Sequence, residues 1–575
     1  MTSKMHAGFS VSSFFKHNNI DTVFTLCGGH ISPILVGCEK EGIDIVQVRD
    51  EASTVFAADA TSRLTNTVGV AIVTAGPGVT NTITAIKNAE MAQSPLILIG
   101  GAAATLLKGR GSLQDIDQMS LLKPHVKWAT TVNKTRDIIP TLTNALNTAV
   151  SGVPGPVFVE LPIDLLYPEQ SIRDQHESQL PSKGLIGKVM RWYVNRHLSD
   201  MFSSKKSSIR IRKQTDLMAK QRDIDKAALT IVSAKKPVIL LGNQITQNKE
   251  FLAMFIKSLN KLSLPTYTSG MSRGCFGKED DFFFRHNRKH ALKNADVVIT
   301  AGVPLDFRLN YGFSINSNAK IIAINKSKED VSKNRKPFLG ITGDPTRTIC
   351  EIAKVINPPQ CEEWIKELTV LEHKRDDQII EQASANTKFV NPIHLCNTIN
   401  NMIDDQSVLI ADGGDFVGTA SYTIRPRGPL GWLDPGPFGT LGVGGGFALG
   451  AKSAFKDKEV WIIYGDGACG FSLAEFDTFF RHKLPIIAVV GNDASWQQIA
   501  REQVDMLGSA IGTDLNDTNY HQVAIGYGAK GYFVDNPDQL KETLQQAKED
   551  AKNGHPVLVN VRIGKTDFRK GSISV

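Results

Sequence analysis

Residues 460–493 read VWIIYGDGACGFSLAEFDTFFRHKLPIIAVVGND, and this stretch decides the fold. An apolar run, Val460 to Tyr464, passes straight into Gly465-Asp466-Gly467. A helix-period segment and a second apolar run, Ile486 to Val490, follow and end in Asn492-Asp493. Continuous apolar runs bounded by glycine turns predict strands buried on both faces, which means parallel strands joined by helical crossovers. A Gly-Asp-Gly turn between strand and helix lets the backbone approach a diphosphate while the carboxylate faces a divalent cation. Alone it would be an ordinary Asp-Gly turn. The second oxygen-rich loop, one helix and one strand later, makes a Mg²⁺-diphosphate site the better reading.

The same alternation divides the chain into three blocks. The first, residues 1–180, has strands at Thr22 to Leu26, Val68 to Thr74, Leu96 to Ile99 and Val157 to Glu160. The second, 223–357, has Val238 to Leu241, Val297 to Ala301 and Lys320 to Ile324. The third, 390–575, adds Val408 to Ala411 and Pro556 to Val561 to the quoted pair. A basic segment, 181–222, joins the first two blocks, and a charged helical connector, 358–389, joins the last two. The expected class is α/β, with three doubly wound parallel-sheet domains.

The chain has 575 residues, of which 41% are hydrophobic and 21% charged, which excludes disorder, collagen and coiled coil. The net charge of +7 is local. Lys183, Lys188, Arg191, Arg196, Lys205, Lys206, Arg210, Arg212 and Lys213 face the single acid Asp200, so that stretch carries +8 and the rest −1. Nucleic-acid binding by the main body is therefore not expected. The first half of that stretch, GLIGKVMRWYVNRHLSDMF, predicts a helix with Ile186, Val189, Met190, Tyr193 and Met201 toward one side. The second half, SSKKSSIRIRKQ, predicts a flexible basic loop, and together residues 184–213 suggest peripheral contact with an anionic membrane. Seven scattered cysteines, an odd number without C-x-x-C, indicate neither a disulfide framework nor a zinc site. No run reaches the roughly 18 apolar residues of a membrane span, and residues 1–19 lack a signal-peptide core. The expected location is intracellular: cytoplasmic, or peripheral on the endoplasmic reticulum membrane.

The spacing of Gly465-Asp466-Gly467 and Asn492-Asp493 resembles the signature of thiamine-diphosphate (ThDP) enzymes, where G-D-G is followed about 25 residues later by N-N. The resemblance implies Asp466 as the first Mg²⁺ ligand, Asp493 or Asn492 as the second, the Ser495 carbonyl as the third, and diphosphate contacts at Gly465 and Gly467. Some 400 residues earlier, Arg49-Asp50-Glu51 before ASTVFAADATSRL resembles the R-H-E segment of the same family, with Asp50 in place of His. Glu51 would then be the glutamate that activates the cofactor. Its carboxylate bonds the aminopyrimidine N1′ and favours the imino tautomer that can remove the thiazolium proton. Thr74-Ala75-Gly76-Pro77-Gly78-Val79-Thr80-Asn81 resembles T-x-G-P-G-x-x-N, implying that Thr74, Pro77 and Asn81 adjoin the pyrimidine. Gly439-Thr440-Leu441-Gly442 resembles G-[ST]-M-G, with Leu441 as the wedge between the cofactor rings and Gly439 offering a carbonyl. Cofactor contacts are also implied at Gly413, Gly414 and Asp415. The glycines at 442, 444, 445 and 446 do not make a dinucleotide fingerprint.

The resemblance covers nearly the whole chain, in the domain order of acetolactate synthase and its relatives. Gly28-Gly29-His30 and Leu113-Gln114 look like benzaldehyde lyase and the 2-hydroxyacyl-CoA lyases, in which a histidine and a glutamine handle the substrate hydroxyl. The closest likeness, including the tail TDFRKGSISV, is to the acetolactate-synthase-like 2-hydroxyacyl-CoA lyases of animals. The implied reaction cleaves a 2-hydroxyacyl-CoA to formyl-CoA and an aldehyde one carbon shorter, with His30 and Gln114 as catalytic residues beside Glu51. Joining two 2-oxo acids, as acetolactate synthase does, is the alternative; an inactive scaffold is a second. Gly302-Val303-Pro304-Leu305-Asp306-Phe307-Arg308 is similar to the G-x-R-x-D-x-R that faces FAD in acetolactate synthase, but Pro304 replaces the central arginine. FAD is doubtful, and a CoA nucleotide suits that domain equally. A homodimer or homotetramer is implied.

Overall fold

Each apolar run quoted above becomes an internal strand, and each block contributes one six-stranded sheet in the computed structural model, which describes residues 6–180, 184–277 and 281–570. Lys183 and the GSISV end of the tail lie outside the described residues. The first sheet consists of β1 Thr22–Thr25, β2 Asp44–Gln47, β3 Gly69–Val73, β4 Leu96–Ala102, β5 Trp128–Thr131 and β6 Val157–Pro162. The second has β7 Pro237–Leu241, β8 Thr266–Thr268, β9 Phe283–Phe284, β10 Val297–Ala301, β11 Lys320–Asn325 and β12 Leu339–Thr342. The third has β13 Val408–Asp412, β14 Trp432–Leu433, β15 Val460–Gly465, β16 Ile487–Asn492, β17 Lys530–Val534 and β18 Val557–Arg562. Every pairing within these sheets is parallel.

The strand orders are β2-β1-β3-β4-β6-β5, β12-β11-β10-β7-β8-β9 and β14-β13-β15-β16-β18-β17. Strand order therefore reverses between β1 and β3, between β7 and β10, and between β13 and β15. In open α/β sheets such reversals open a crevice beyond the carboxyl ends of the two strands, where ligands bind. The chain divides into two units: Met1–Thr215 with Pro437–Thr440, and Asp216–Gly436 with Leu441–Val575.

Within the first unit, the helix Glu51–Leu64 is nearly wholly buried, which accounts for its run of small residues. A Cβ on Gly69 would lie 1.9 Å from the Ala58 carbonyl oxygen, so only glycine fits where β3 begins. The helix carries a buried ion pair: Arg63 Nε and Nη2 reach Asp59 Oδ1 and Oδ2 at 2.7 and 2.6 Å, and the Asn88 amide donates to Asp59 Oδ2 at 3.2 Å. Removing one partner leaves the other charge buried without its counter-ion. Arg63→Met is expected to cost about 3–5 kcal/mol, read as a lower urea midpoint; an unchanged midpoint contradicts the assignment.

In the second unit, the charged connector is a helix, Glu362–Ala383, but it does more than join two blocks. Trp364 and Leu368 complete the second sheet's core, with the Trp364 indole donating to the Pro237 carbonyl at 3.2 Å, while Ile379 and Ala383 pack with Ile393. The basic segment of the first unit forms the expected helix, Gly184–Met201, but Met201, expected on the side of Ile186 and Tyr193, is instead buried with Leu198, where the last turn meets the first sheet's core. The chain after it has no regular structure, yet it is tied down. Asn144 and Asn147 donate to the Arg210 and Arg212 carbonyls at 3.0 and 2.7 Å, and Thr215 N–H donates to Ser151 Oγ at 3.1 Å.

Candidate active site

In the first unit the loops at the β1/β3 reversal bring most of the expected residues together. Asp50 N-caps the helix Glu51–Leu64, its side chain accepting from the Ala52 N–H at 2.8 Å, which accounts for a carboxylate at that position. Glu51, the first helical residue, is buried, and its Oε2 accepts from the Asn81 amide at 2.9 Å. Gly76 takes φ 62° and turns the chain after β3 into the short helix Pro77–Thr80. That turn sets Gly78 beneath Glu51, since a Cβ on Gly78 would sit 3.6 Å from Glu51 Oε1.

His30 lies in the loop after β1, its Nδ1 3.1 Å from the Thr74 hydroxyl. Burial holds its pKa below the usual 6.5, so the neutral imidazole dominates at neutral pH. Gln114 has φ 63°, and its backbone packs on Gly76: a Cβ there would lie 2.7 Å from the Gln114 carbonyl oxygen. Reading the sequence passed over the groups that hold this loop. Buried Gln118 accepts from the Gly76 N–H at 2.8 Å and donates to the Gly101 carbonyl and to Glu160 Oε1 at 3.0 and 2.9 Å. Glu160 also bonds the Thr131 hydroxyl at 2.7 Å and pairs with Lys108.

In the second unit the β13/β15 reversal places Gly413-Gly414-Asp415 beside Gly465-Asp466-Gly467. Gly413 has φ 148°, and a Cβ on it would lie 2.8 Å from the Gly465 nitrogen. Asp466 opens the helix Asp466–Ser472; its Oδ1 accepts from the Gly467 N–H at 2.8 Å and its Oδ2 from the Ser495 N–H at 3.2 Å. A Cβ on Gly467 would meet the Trp496 ring at 2.3 Å, so the second glycine of the turn makes room for that indole. Burial raises Asp466, and burial with the neighbouring charges of Asp466 and Asp415 pushes Asp493 up to about 7. Asp415 pairs with Arg501 at 2.5 Å.

Asn492 is occupied elsewhere. Its amide donates to Asp517, Thr518 and Asn560, each at 3.3 Å, and its oxygen accepts from the Ala494 N–H at 3.1 Å. Of the two candidates at that position, Asp493 is the one whose carboxyl feels the charge of Asp466. Asp412 is a further residue that went unread: fully buried and pushed up to about 7 by burial, it accepts from the Gly442 and Gly444 N–H groups at 3.1 and 2.7 Å. It thereby pins the turn that follows Leu441. The glycines behind that turn serve packing. A Cβ on Gly444 would meet the Tyr464 ring at 2.4 Å, and one on Gly445 would meet Ser472 at 2.9 Å.

A cavity of about 470 Å³ in the second unit is lined by Arg273, Arg285, Arg288, Arg308, Arg375, Arg425 and Lys289, with no carboxylate among its described lining residues. Arg308 is doubly bonded to Asp306, through Nε and Nη2 at 3.1 and 2.6 Å to Oδ2. Arg285 donates to the Tyr422 carbonyl at 3.2 Å and, with Arg425, to Asp376 at 2.7 and 3.0 Å. Burial lowers Arg273 and Arg288, and Arg273 Nε is buried without a hydrogen-bond partner. Phe283, Phe307 and Tyr422 add flat apolar surface.

The family follows from three matches in the order of the three sheets. The N-terminal TPP binding domain of the thiamine pyrophosphate enzymes matches residues 5–121, the central domain residues 224–352, and the C-terminal TPP binding domain residues 412–561. The chain belongs to the thiamine pyrophosphate enzymes. Its relatives include the 2-hydroxyacyl-CoA lyase 2 of Danio rerio, 50% identical over all of this chain and 94% of the relative. The protein of that name in Homo sapiens is 44% identical over all of this chain and 92% of the relative. A probable acetolactate synthase of Mycobacterium bovis is 31% identical over 97% of this chain and 95% of its own length. As a thiamine pyrophosphate enzyme the chain takes ThDP as its cofactor.

Proposed function

We propose that this ThDP enzyme cleaves a 2-hydroxyacyl-CoA to formyl-CoA and an aldehyde one carbon shorter. The observation that carries the reading is the arginine-lined cavity. A CoA ester brings a 3′-phosphate and a diphosphate on a flat nucleobase, which suits seven basic side chains beside Phe283, Phe307 and Tyr422. The names of the relatives at 44–50% identity support the same substrate.

The donor set also fits a divalent cation. Asp466 is buried and Asp493 half-buried, Asp493 is raised in part by the charge of Asp466, and the Ser495 N–H bonds Asp466 Oδ2; the two carboxylates and a backbone carbonyl are hard oxygen ligands of the kind Mg²⁺ prefers. In this reading Asp466, Asp493 and the Ser495 carbonyl hold Mg²⁺. Gly413, Gly414, Asp415, Gly465 and Gly467 would hold the diphosphate, and Thr74, Pro77, Asn81, Gly439 and Leu441 would adjoin the rings. When bound, ThDP supplies the carbanion-stabilising chemistry of the cleavage. Glu51, held by Asn81, would bond the pyrimidine nitrogen and so favour the imino tautomer. His30, neutral by burial, takes the proton of the substrate hydroxyl as the C–C bond breaks, and Gln114 orients that hydroxyl. In the balanced reaction the carbinol carbon leaves as the aldehyde, and the acyl carbon gains a hydrogen to become formyl-CoA. A homodimer or homotetramer in which two copies share each cofactor is part of the proposal.

Two outcomes test it. Arg425→Gln, together with Arg288→Gln, is expected to raise KM for a 2-hydroxyacyl-CoA about tenfold or more while leaving turnover of a CoA-free 2-hydroxy substrate within about twofold. Equal losses on both substrates would remove CoA from the cavity. Activity should also fall as pH drops through a His30 pKa below 6.5, because protonation removes the base. His30→Gln should lose that acid limb, and an unaltered limb would exclude His30.

A further inference from the structure

The helix Gly184–Met201 turns its apolar side to solvent. Leu185 is 79% exposed, Ile186 74%, Val189 57%, Trp192 60% and Tyr193 54%. At 3.6 residues per turn these side chains, with Met190, form one continuous arc along the first three turns. The opposite side, Gly187, Leu198 and Met201, is the buried one. The helix is held firmly in this orientation. Leu198 and Met201 belong to the first sheet's core, His197 Nε2 lies 2.7 Å from the Thr105 hydroxyl, Arg191 pairs with Glu177 at 3.1 Å, and Asp200 pairs with Lys134 at 2.9 Å. The exposed arc is therefore a fixed surface, and a helix this apolar on its outer side requires a partner.

Charge indicates which partner. The same segment carries Lys188, Arg191 and Arg196 on the helix, and Lys205, Lys206, Arg210, Arg212 and Lys213 on the strap that follows, against Asp200 alone. Lys205, Lys206, Arg210 and Lys213 are exposed. The strap lies along the helix Ile138–Val150 through the Asn144 and Asn147 bonds, which present a row of cations in a fixed place. A second copy packed on this segment would set cations against cations, whereas an anionic lipid surface complements both the arc and the strap. Trp192 and Tyr193, both on the exposed arc, are residues suited to the headgroup boundary. No helix among the described residues is long and apolar enough to cross a membrane, so contact would be by lying on one.

We propose that residues 184–213 form a peripheral binding surface for anionic membranes, with the helix Gly184–Met201 lying in the interface and the strap pairing with acidic headgroups. The test uses the full chain and sedimentation with vesicles of phosphatidylcholine, with or without phosphatidylserine. The unmodified chain should bind the phosphatidylserine vesicles, with Trp192 fluorescence quenched by lipids brominated in the acyl chain; Trp192→Phe should remove most of that quench. The variant Leu185→Ser/Ile186→Ser/Val189→Ser should weaken binding to both vesicle types about tenfold or more. The variant Lys205→Gln/Lys206→Gln/Arg210→Gln/Lys213→Gln should lose the preference for phosphatidylserine. Failure of the unmodified chain to bind anionic vesicles overturns the proposal. So does apolar-arc substitution that leaves vesicle binding intact but changes the sedimentation coefficient, which would give this face to a second copy.

Discussion

Glu51→Gln is expected to lower kcat by about 10²–10⁴-fold while ThDP binds within about threefold of normal. The amide keeps the shape of the side chain and its contact with Asn81, which sits 2.9 Å away, but a neutral amide cannot support the imino tautomer. Steady-state turnover and cofactor titration by fluorescence measure the two quantities separately. Loss of both together would make Glu51 a structural residue, and retention of turnover would remove it from the mechanism. Asn81→Ala should fall between, since it frees the carboxylate without deleting it.

Asp466→Asn is expected to weaken Mg²⁺-dependent ThDP binding by about 100-fold or more, beyond the 10–100-fold typical of residues that only support a ligand. Asp493→Asn should behave alike and Asn492→Ala should not. Asn492 already spends its amide on Asp517, Thr518 and Asn560, so its loss is expected to cost stability and leave the Mg²⁺ requirement unchanged. Titrating each variant with Mg²⁺ at fixed ThDP separates these cases. A normal Mg²⁺ curve for Asp493→Asn, with a shifted one for Asn492→Ala, would reverse the assignment.

How far the chain could be read before its structure follows from where each signal is stored. Internal strands such as Val297–Ala301 and Gly69–Val73 are buried on both faces, so their apolar runs stand out. Edge strands such as β2 (DIVQ) and β17 (KGYFV) are half wet and carry no such run. Motif residues on one loop, Gly465 to Gly467 or Thr74 to Asn81, were legible because strand, turn and helix are contiguous there. Asp412 was not, since its partners Gly442 and Gly444 lie about 30 residues on and only the fold brings them together. The cavity arginines are spread from Arg273 to Arg425, a separation that leaves no local pattern. Periodicity marked the helix Gly184–Met201 but could not say what its sides meet; the structure turns Ile186, Val189, Met190 and Tyr193 outward and buries Met201 with Leu198.

The most direct test of the central claim is product analysis on the ThDP- and Mg²⁺-loaded chain given either a 2-hydroxy long-chain acyl-CoA or pyruvate. Cleavage of the acyl-CoA to formyl-CoA and an aldehyde one carbon shorter, dependent on both cofactors and lost in Glu51→Gln, is the predicted result. Acetolactate from pyruvate, with the acyl-CoA left intact, would contradict it.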